Sequence, residues 1–187
     1  MKIVITLLSY DHGILRQVLD VVSDMAAEAS FDRYRDFLPE MSDFFLTFMD
    51  RYHHGKEERF VFPLSAGGTE ELKAMMPDLY EDHREAKAFA LAIADNIAAW
   101  DTEALAKNCI GLAAHMRHHI REEEEEVFPA FEGLLDGDKD LETFEISQTF
   151  VKENFGEDFP SRAEDFARRL QDRVWGEGVI KYQSIKN

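Results

Sequence analysis

The sequence of 187 residues contains few cysteine, glycine and proline residues, and the shortage of each restricts the kinds of structure that the chain can form. A single cysteine, Cys109, excludes an internal disulfide framework, zinc sites built from several cysteines and protein-bound iron–sulfur clusters. With 10 Gly and 5 Pro, residues that break helices are few. The apolar runs are far shorter than the ~20 residues that a membrane span requires. We therefore expect a protein of a reducing, cytoplasmic compartment.

Positive charge is also scarce. The chain has 21 Lys and Arg against 38 Asp and Glu, which gives a formal net charge of -17. Such an acidic surface repels phosphate backbones and anionic lipid headgroups, so we expect neither nucleic-acid nor membrane binding. What the sequence does contain is 45% hydrophobic residues, among them 15 Phe, which is enough for a sizeable core. This composition excludes a disordered chain and fits one domain, alone or with an appendage.

Hydrophobic spacing predicts an all-α protein. Apolar residues recur in steps of three and four from Ile5 to Ala26 and again from Met76 to Trp100, and in each stripe one histidine replaces an apolar residue. Two more helices are expected at about 31–64, with a kink or restart at Pro39, and at about 102–127.

Short connections between these four helices predict an antiparallel four-helix bundle over residues 1–136. Pro77 is expected in the first turn of the third helix, where its missing amide donor does no harm. Residues 137–187 are interpreted as a C-terminal helical extension with two shorter amphipathic segments, at about 141–155 and 161–175. We expect the extension either to cover the bundle or to bind a protein partner, which includes a second copy of the chain.

An eleven-residue pattern that occurs twice carries the chemistry. Residues 53–63 and 119–129 both read H-x-x-x-E-E-x-x-x-F-P, and an Asp-His pair, Asp11-His12 or Asp82-His83, lies upstream of each copy. A single His and acid pair at this spacing means little, because chance alone produces one in so acidic a chain. Recurrence of the whole pattern, each time one helix after a stripe histidine, is much harder to obtain by chance.

Helical spacing divides the residues of the first copy between two faces, since positions four apart share a face. The stripe through His53 and Glu57 is otherwise apolar, whereas the stripe through His54 and Glu58 is polar. We therefore expect His53 and Glu57 to point inward, and His54 and Glu58 to point into solvent.

The corresponding inward pair of the second copy is His119 and Glu123, the latter within a run of five glutamates. The inward set then has four imidazoles and two carboxylates: His12, His53, His83, His119, Glu57 and Glu123. Inward glutamates without a partner are costly, so the set predicts cations between them. Two ions would each receive two imidazole nitrogens and share both carboxylates, with open positions left over. Mixed nitrogen and oxygen donors suit iron, manganese or zinc.

Other polar residues near this set are expected to have lesser roles. His115, one turn before His119, is interpreted as a partly buried polar residue, with a contact to a ligand or ligation as the alternative. His118, Asp11 and Asp82 are expected to face solvent.

These residues resemble the hemerythrin-like, or HHE cation-binding, domain family over about residues 5–135. The resemblance implies a four-helix bundle around a non-haem centre of two iron ions, bridged by oxo or hydroxo groups and by carboxylates. It implies that Glu57 and Glu123 bridge the irons, and that the terminal ligands are His12, His53, His83 and His119. Zinc or manganese remains an alternative to iron.

The set differs from that of the five-histidine hemerythrin oxygen carriers. Those proteins have a further histidine four residues from the third-helix ligand, where this chain has Leu79 and Lys87. Their last helix supplies an aspartate five residues after its histidine, where this chain has Glu124, and Glu123 fits the pattern better. The four-His, two-Glu set is more similar to bacterial iron-centre repair proteins and hemerythrin-like sensors.

This resemblance implies an open iron site that binds O2, NO or peroxide, for sensing, storage or defence against oxidative and nitrosative stress. We expect a metal-binding protein rather than an enzyme, and in a sensor residues 137–187 would transmit the change. One alternative is a di-iron peroxidase, oxidase or repair enzyme. The other is a structural interaction bundle with vestigial ligands.

Overall fold

The computed structural model describes residues 2–181 and is 87% helical. No strand occurs among the described residues, so the prediction of an all-α fold is confirmed. Over the same part of the chain, no helix has both the length and the apolar character that crossing a membrane requires.

Four helical units form the bundle. In chain order they are α1 (Ile3–Ala27), a second unit (residues 38–61), α3 (Glu70–Ala99) and a fourth unit (residues 102–134). The second unit begins as α2 (Leu38–Asp43) and continues through two wider, π-helical segments, Phe44–His54 and Glu57–Val61. The fourth unit has three parts in the order α4 (Thr102–Glu122), a π-helical segment (Glu123–Val127) and α5 (Phe128–Leu134).

Side-chain caps set the beginnings of the third and fourth units. The Thr69 hydroxyl accepts a hydrogen bond from the amide of Leu72, and the Asp101 carboxylate accepts one from the amide of Ala104. Because the Thr69 cap starts α3 at Glu70, Pro77 lies inside the helix and the prediction that it occupies the first turn is wrong.

The core consists of two apolar clusters with a polar layer between them. Along α1, Val4, Ile5 and Leu8 belong to one cluster, and the residues from Ile14 onward belong to the other. Asp11 and His12 lie between the two. The inward polar residues therefore lie at one level of the bundle, between the two apolar clusters.

Two more helices, α6 (Gly137–Asn154) and α7 (Phe159–Trp175), pack against the bundle. The Asp140 carboxylate of α6 accepts hydrogen bonds from the amides of Ile3 and Val4, so it caps the start of α1. On α7, Phe166 is buried against Phe44 of the second unit. The extension thus covers the bundle as far as residue 181, and residues 182–187 of the predicted extension lie outside the described residues.

Candidate metal centre

The structure brings all six predicted side chains together in the polar layer. Each is at most 2% exposed: His12, His53, Glu57, His83, His119 and Glu123. Every one of the four bundle units contributes a histidine, and the second and fourth units also contribute the glutamates. In both copies of the repeated pattern a π-helical segment begins at the inward glutamate.

The carboxylate of Glu57 lies between histidines of different helices. Its Oε1 is 3.5 Å from Nε2 of His53 and 4.0 Å from Nε2 of His12. Its Oε2 is 3.5 Å from Nε2 of His83. One oxygen therefore faces the first pair of helical units and the other faces the third, which is the geometry of a bridging carboxylate.

Glu123 has a similar position on the opposite side. Its Oε2 is 3.2 Å from Nε2 of His12 and 3.4 Å from Nε2 of His119. Two ligand atoms that each lie about 2.1 Å from one ion are about 3.0 Å apart when adjacent and about 4.2 Å apart when opposite. The distances around both glutamates fall within these limits, so the donor set fits metal ions.

These inward atoms are buried and, apart from a contact between the carboxyls of Glu57 and Glu123, have no hydrogen-bond partner among the described residues. They are both carboxylate oxygens of Glu57 and Glu123 and the Nε2 atoms of His12, His53, His83 and His119. Buried polar atoms in folded proteins are normally satisfied, because an unpartnered one keeps the full cost of losing water. A concentration of them at one point indicates that a cation is the missing partner.

The outward ring nitrogens of the same four histidines are all paired with carboxylates. Each Nδ1 donates to one acidic side chain: His12 to Glu124 at 3.0 Å, His53 to Asp11 at 3.4 Å, His83 to Glu58 at 2.9 Å and His119 to Asp82 at 3.4 Å. A carboxylate on Nδ1 fixes the ring orientation and leaves the Nε2 lone pair free for a metal.

In these carboxylate–histidine pairs, each helical unit supplies the acid that contacts the histidine of the next unit. Asp11 of α1 holds the histidine of the second unit, and Glu58 of the second unit holds the histidine of α3. Asp82 of α3 then holds the histidine of the fourth unit, and Glu124 of the fourth unit holds that of α1. We call these four acids the carboxylate ring. It uses the Asp of each Asp-His pair and the second Glu of each Glu-Glu pair.

The predictions that Asp11, Asp82 and Glu58 face solvent are therefore wrong. Asp11 is 2% exposed, and the other two are partly buried. Single-helix spacing places each of these acids beside the inward stripe, but an acidic side chain there reaches the histidine of the neighbouring helix. The sequence signal was the recurrence of Asp-His and Glu-Glu in both halves of the chain.

Burial opposes charge on the inward residues. It lowers the pKa of His83 to about 4, although the hydrogen bond to Glu58 acts in the opposite direction, and it lowers the pKa of His12, His53 and His119 as well. Burial also raises the pKa of Glu57 and Glu123 well above the ordinary glutamate value. Without a cation, the layer consequently favours neutral imidazoles and opposes charged carboxylates.

A buried lysine, which the sequence analysis missed, supports the ring at Asp11. The Nζ of Lys56 forms an ion pair with Asp11 and lies 3.9 Å from the centre of the Tyr52 ring. Burial opposes the charge of Lys56, but Asp11 and Tyr52 outweigh it and raise the pKa of the amine. Lys56 therefore supplies the positive charge that allows Asp11 to stay buried beside His53.

His54 contradicts its prediction as a surface residue. It is 1% exposed, and its ring stacks on that of His83 with 3.8 Å between centroids and 5° between planes. The physical reason is the π-helical backbone, whose wider turns advance less around the axis for each residue. Two successive residues, His53 and His54, then lie closer to the same inward face than α-helical spacing would place them.

The remaining histidines lie outside the layer. Nε2 of His115 donates to the backbone carbonyl of Asp82 at 2.9 Å, so His115 is the partly buried polar residue that was expected. His118 is exposed, also as expected.

Known proteins were compared with the chain at the level of families, curated proteins and solved structures. The model of one family, described as the hemerythrin HHE cation binding domain, matches residues 3–131. No curated protein and no solved structure matches. The matched segment starts with α1 and ends within α5, so it contains both copies of the repeated pattern and the whole polar layer.

Proposed function

The chain belongs to the hemerythrin HHE cation-binding family, and on this premise we propose that it is a di-iron protein whose open metal site binds O2, NO or peroxide. Cation binding follows from the family. Two irons, the small ligand and a cytoplasmic role in sensing, storage or stress defence are the proposal. Its main support is the layer of buried imidazole nitrogens and carboxylate oxygens, for which no other element of the described chain provides a hydrogen-bond partner.

The donors fall into two groups that could each hold one ion. Ligand atoms of His12, His53, Glu57 and Glu123 lie within 4.8 Å of one another. A second group with the same limit includes His83, His119 and again Glu57. Since Glu57 belongs to both groups, it is the residue that would link the two ions, and Glu123 faces a histidine of each group.

When bound, two ferrous ions would supply electrons and open coordination positions to a small ligand. The chain's own residues orient the histidine rings and limit the access of water to them. The carboxylate ring fixes the four rings, while Phe128 stacks on His12 and Phe62 stacks on His83, each at 5.3 Å between centroids. These two aromatic rings exclude water from one side of the layer, which favours a small neutral ligand such as O2 or NO over a hydrated ion.

A continuous series of contacts leads from this layer to the extension. His53 contacts Asp11, Asp11 pairs with Lys56, and Lys56 lies on Tyr52. Tyr52 in turn packs against Phe159, at the start of α7, with 5.2 Å between ring centroids. This series is the support for a sensing role, because a change at His53 has a packed route to α7.

The test is to purify the protein without air and to measure its iron content and visible spectrum before and after O2, NO or peroxide is added. We expect two irons for each chain and a spectral change with at least one of the three ligands. His118→Ala, at an exposed position, serves as the matched control and should behave as wild type. Absence of iron after anaerobic reconstitution would contradict the proposal, and steady turnover of peroxide with a reductant would establish an enzyme instead.

A further inference from the structure

The two donor groups of the layer differ in the charge around them. We call the group with His12 and His53 the first group, and the group with His83 and His119 the second group. The hydrogen bonds from Nδ1 to the carboxylate ring do not distinguish them, since the distances are 3.0 and 3.4 Å in the first group and 2.9 and 3.4 Å in the second. The difference lies in the side chains that contact each ring acid from its other side.

Both ring acids of the first group are paired with a cation. The guanidinium of Arg16 contacts both oxygens of Glu124, with 2.9 Å from Nη1 to Oε1 and 2.5 Å from Nη2 to Oε2. The Nζ of Lys56 forms an ion pair with Asp11. Each histidine of the first group therefore donates to an acid whose negative charge is offset by a neighbouring positive charge.

The ring acids of the second group have no such partner. Within residues 2–181, neither Glu58 nor Asp82 forms an ion pair with a lysine or an arginine. The two cations nearest to Glu58 in charge have other contacts, because Arg59 donates to a backbone carbonyl and Lys87 pairs with Asp50. Around Asp82 the basic side chains are histidines. The second group thus faces two carboxylate charges that no lysine or arginine contact offsets.

The charge beside a ligand histidine influences how readily its ion gives up an electron. A carboxylate on Nδ1 makes the imidazole a more basic ligand, which favours the higher charge of the ion. A cation on that carboxylate opposes this effect, and charges near the protein interior are screened less than in water. The ring acids of the second group consequently favour a ferric ion there, and the acid–cation pairs of the first group favour a ferrous one.

We propose that Arg16 and Lys56 make the iron of the first group harder to oxidise than the iron of the second group. The inference rests on the proposed function, since it needs two irons in the layer. Arg16 and Lys56 are positioning residues, because they act through Glu124 and Asp11 and contact neither of the metal-facing nitrogens.

The test is a redox titration of the iron-loaded full chain, followed by its visible spectrum and by the EPR signal of the half-oxidised centre. In each step one ferricyanide takes one electron from one iron and becomes ferrocyanide. We expect two separate one-electron steps in the wild type, the first at the second group and the second at the first group. A wild type with fewer than two irons would contradict the proposed function, whereas two irons that are oxidised at one potential would overturn only the present inference.

Two variants with opposite changes of charge should both bring the steps closer together. Arg16→Gln removes a positive charge beside the first group, so the second step should become easier by about five- to tenfold in its equilibrium constant, with a smaller effect on the first step. Glu58→Gln removes a negative charge beside the second group, so the first step should become harder by a similar factor. The side chains are 42% and 37% exposed, so neither substitution leaves an unpaired charge in the core.

Two further variants separate charge from packing. Arg16→Lys keeps the charge and should restore the wild-type separation of the steps. Arg117→Gln removes an arginine of similar exposure, 38%, whose partner Asp20 holds no ligand histidine, and it is the matched control. Iron content is measured for each variant, so that loss of metal is not mistaken for a change of potential. The inference is wrong if Arg16→Gln shifts the first step more than the second, shifts both equally, or has no more effect than Arg117→Gln.

Discussion

Glu57→Gln should have opposite effects on the metal-free and the metal-loaded protein. The side chain is fully buried, its oxygens have no hydrogen-bond partner among the described residues except the carboxyl of Glu123, and burial raises the pKa of its carboxyl well above the ordinary value of 4.5. At neutral pH the unfolded chain holds this carboxyl as the ion, so folding without metal must either bury the charge or take up a proton. Both reduce the free energy of unfolding. Glutamine has nearly the same shape and cannot ionise.

The expected size follows from the same observations. Each unit by which the folded pKa exceeds the unfolded one costs about 1.4 kcal/mol at a pH above both values. Replacing a buried ion pair by hydrophobic residues of similar volume is often neutral or stabilises a protein by about 1–4 kcal/mol. Because the glutamine amide stays buried and polar, we expect Glu57→Gln to gain about 1 kcal/mol without metal, at the low end of this range. In a chain of this size, 1 kcal/mol shifts Tm by about 2–4 °C, so the gain is measurable by thermal unfolding.

With metal the sign reverses. A cation that binds only the folded state, present at 100 times its Kd, stabilises the protein by about 2.7 kcal/mol. Glu57→Gln removes the carboxylate that contacts both donor groups, so most of this stabilisation should disappear. The assay is thermal unfolding of wild type and variant at pH 7, once with a chelator and once with excess ferrous ion under anaerobic conditions. Glu126→Gln removes the same charge from an exposed position of the fourth unit and is the matched control.

The pH dependence separates this explanation from a simple packing effect. Because the folded pKa of Glu57 is raised, the metal-free penalty exists only above the ordinary value of 4.5 and grows as the pH rises toward the folded pKa. Below 4.5 the carboxyl is protonated in both states, and the advantage of glutamine should vanish. A variant that is less stable than wild type without metal, or equally stabilised by ferrous ion, would refute the reasoning.

Three further predictions concern the carboxylate ring, the extension and acid. Asp82→Asn should weaken metal binding by about 10–100-fold in a chelator competition with little change in the helical CD spectrum, because it removes the negative charge that the Nδ1–H of His119 faces; unchanged affinity would show that the charge of the ring does not support the ligands. Phe166→Ala should reduce the free energy of unfolding by about 3–5 kcal/mol in a denaturant titration, since it opens a cavity against Phe44, and a loss below ~1 kcal/mol would mean that α7 is not part of the stable core. Lowering the pH should release the metal, because the unfolded imidazoles gain protons below ~6.5 and the metal-free folded His83 only near 4. Protons therefore compete with the metal for the imidazoles once the pH falls below ~6.5, so the stability of the loaded protein is complete above that pH and decreases below it; metal that stays bound well below pH 4, as measured after gel filtration, would contradict imidazole ligation.

The sequence predicted the all-α bundle and the positions of six inward residues because both depend on spacing within one helix. Apolar steps of three and four identify the buried stripe, and the His-x-x-x-Glu spacing places His53 with Glu57 on one face. The same rule failed one residue later, at His54, because it assumes α-helical geometry. Residue propensities do not predict a π-helical segment. The sequence indicates one only indirectly, because such segments often lie at functional sites and the inward glutamates mark a functional site here.

The carboxylate ring could not be predicted for a different reason. Its contacts lie between helices, and a pattern read along one helix says nothing about which neighbour an acid at the edge of the stripe will reach. Asp11 shows this most clearly, since its burial depends on Lys56 from the second unit. The sequence did contain each acid in both halves of the chain, and this repetition corresponds to contacts within and between the two halves.

The two types of acid in the ring have different places in the repeat. The aspartates act within a half: Asp11 holds the histidine of the pattern that follows it, and so does Asp82. The second glutamates act between halves, since Glu58 holds His83 and Glu124 holds His12. Either half alone would therefore leave its first histidine without a carboxylate and its inward glutamate without the histidine of the other half. Because the ligands become oriented only when the halves meet, metal binding and assembly of the bundle are coupled, and the metal stabilises the contact between halves more than either half by itself.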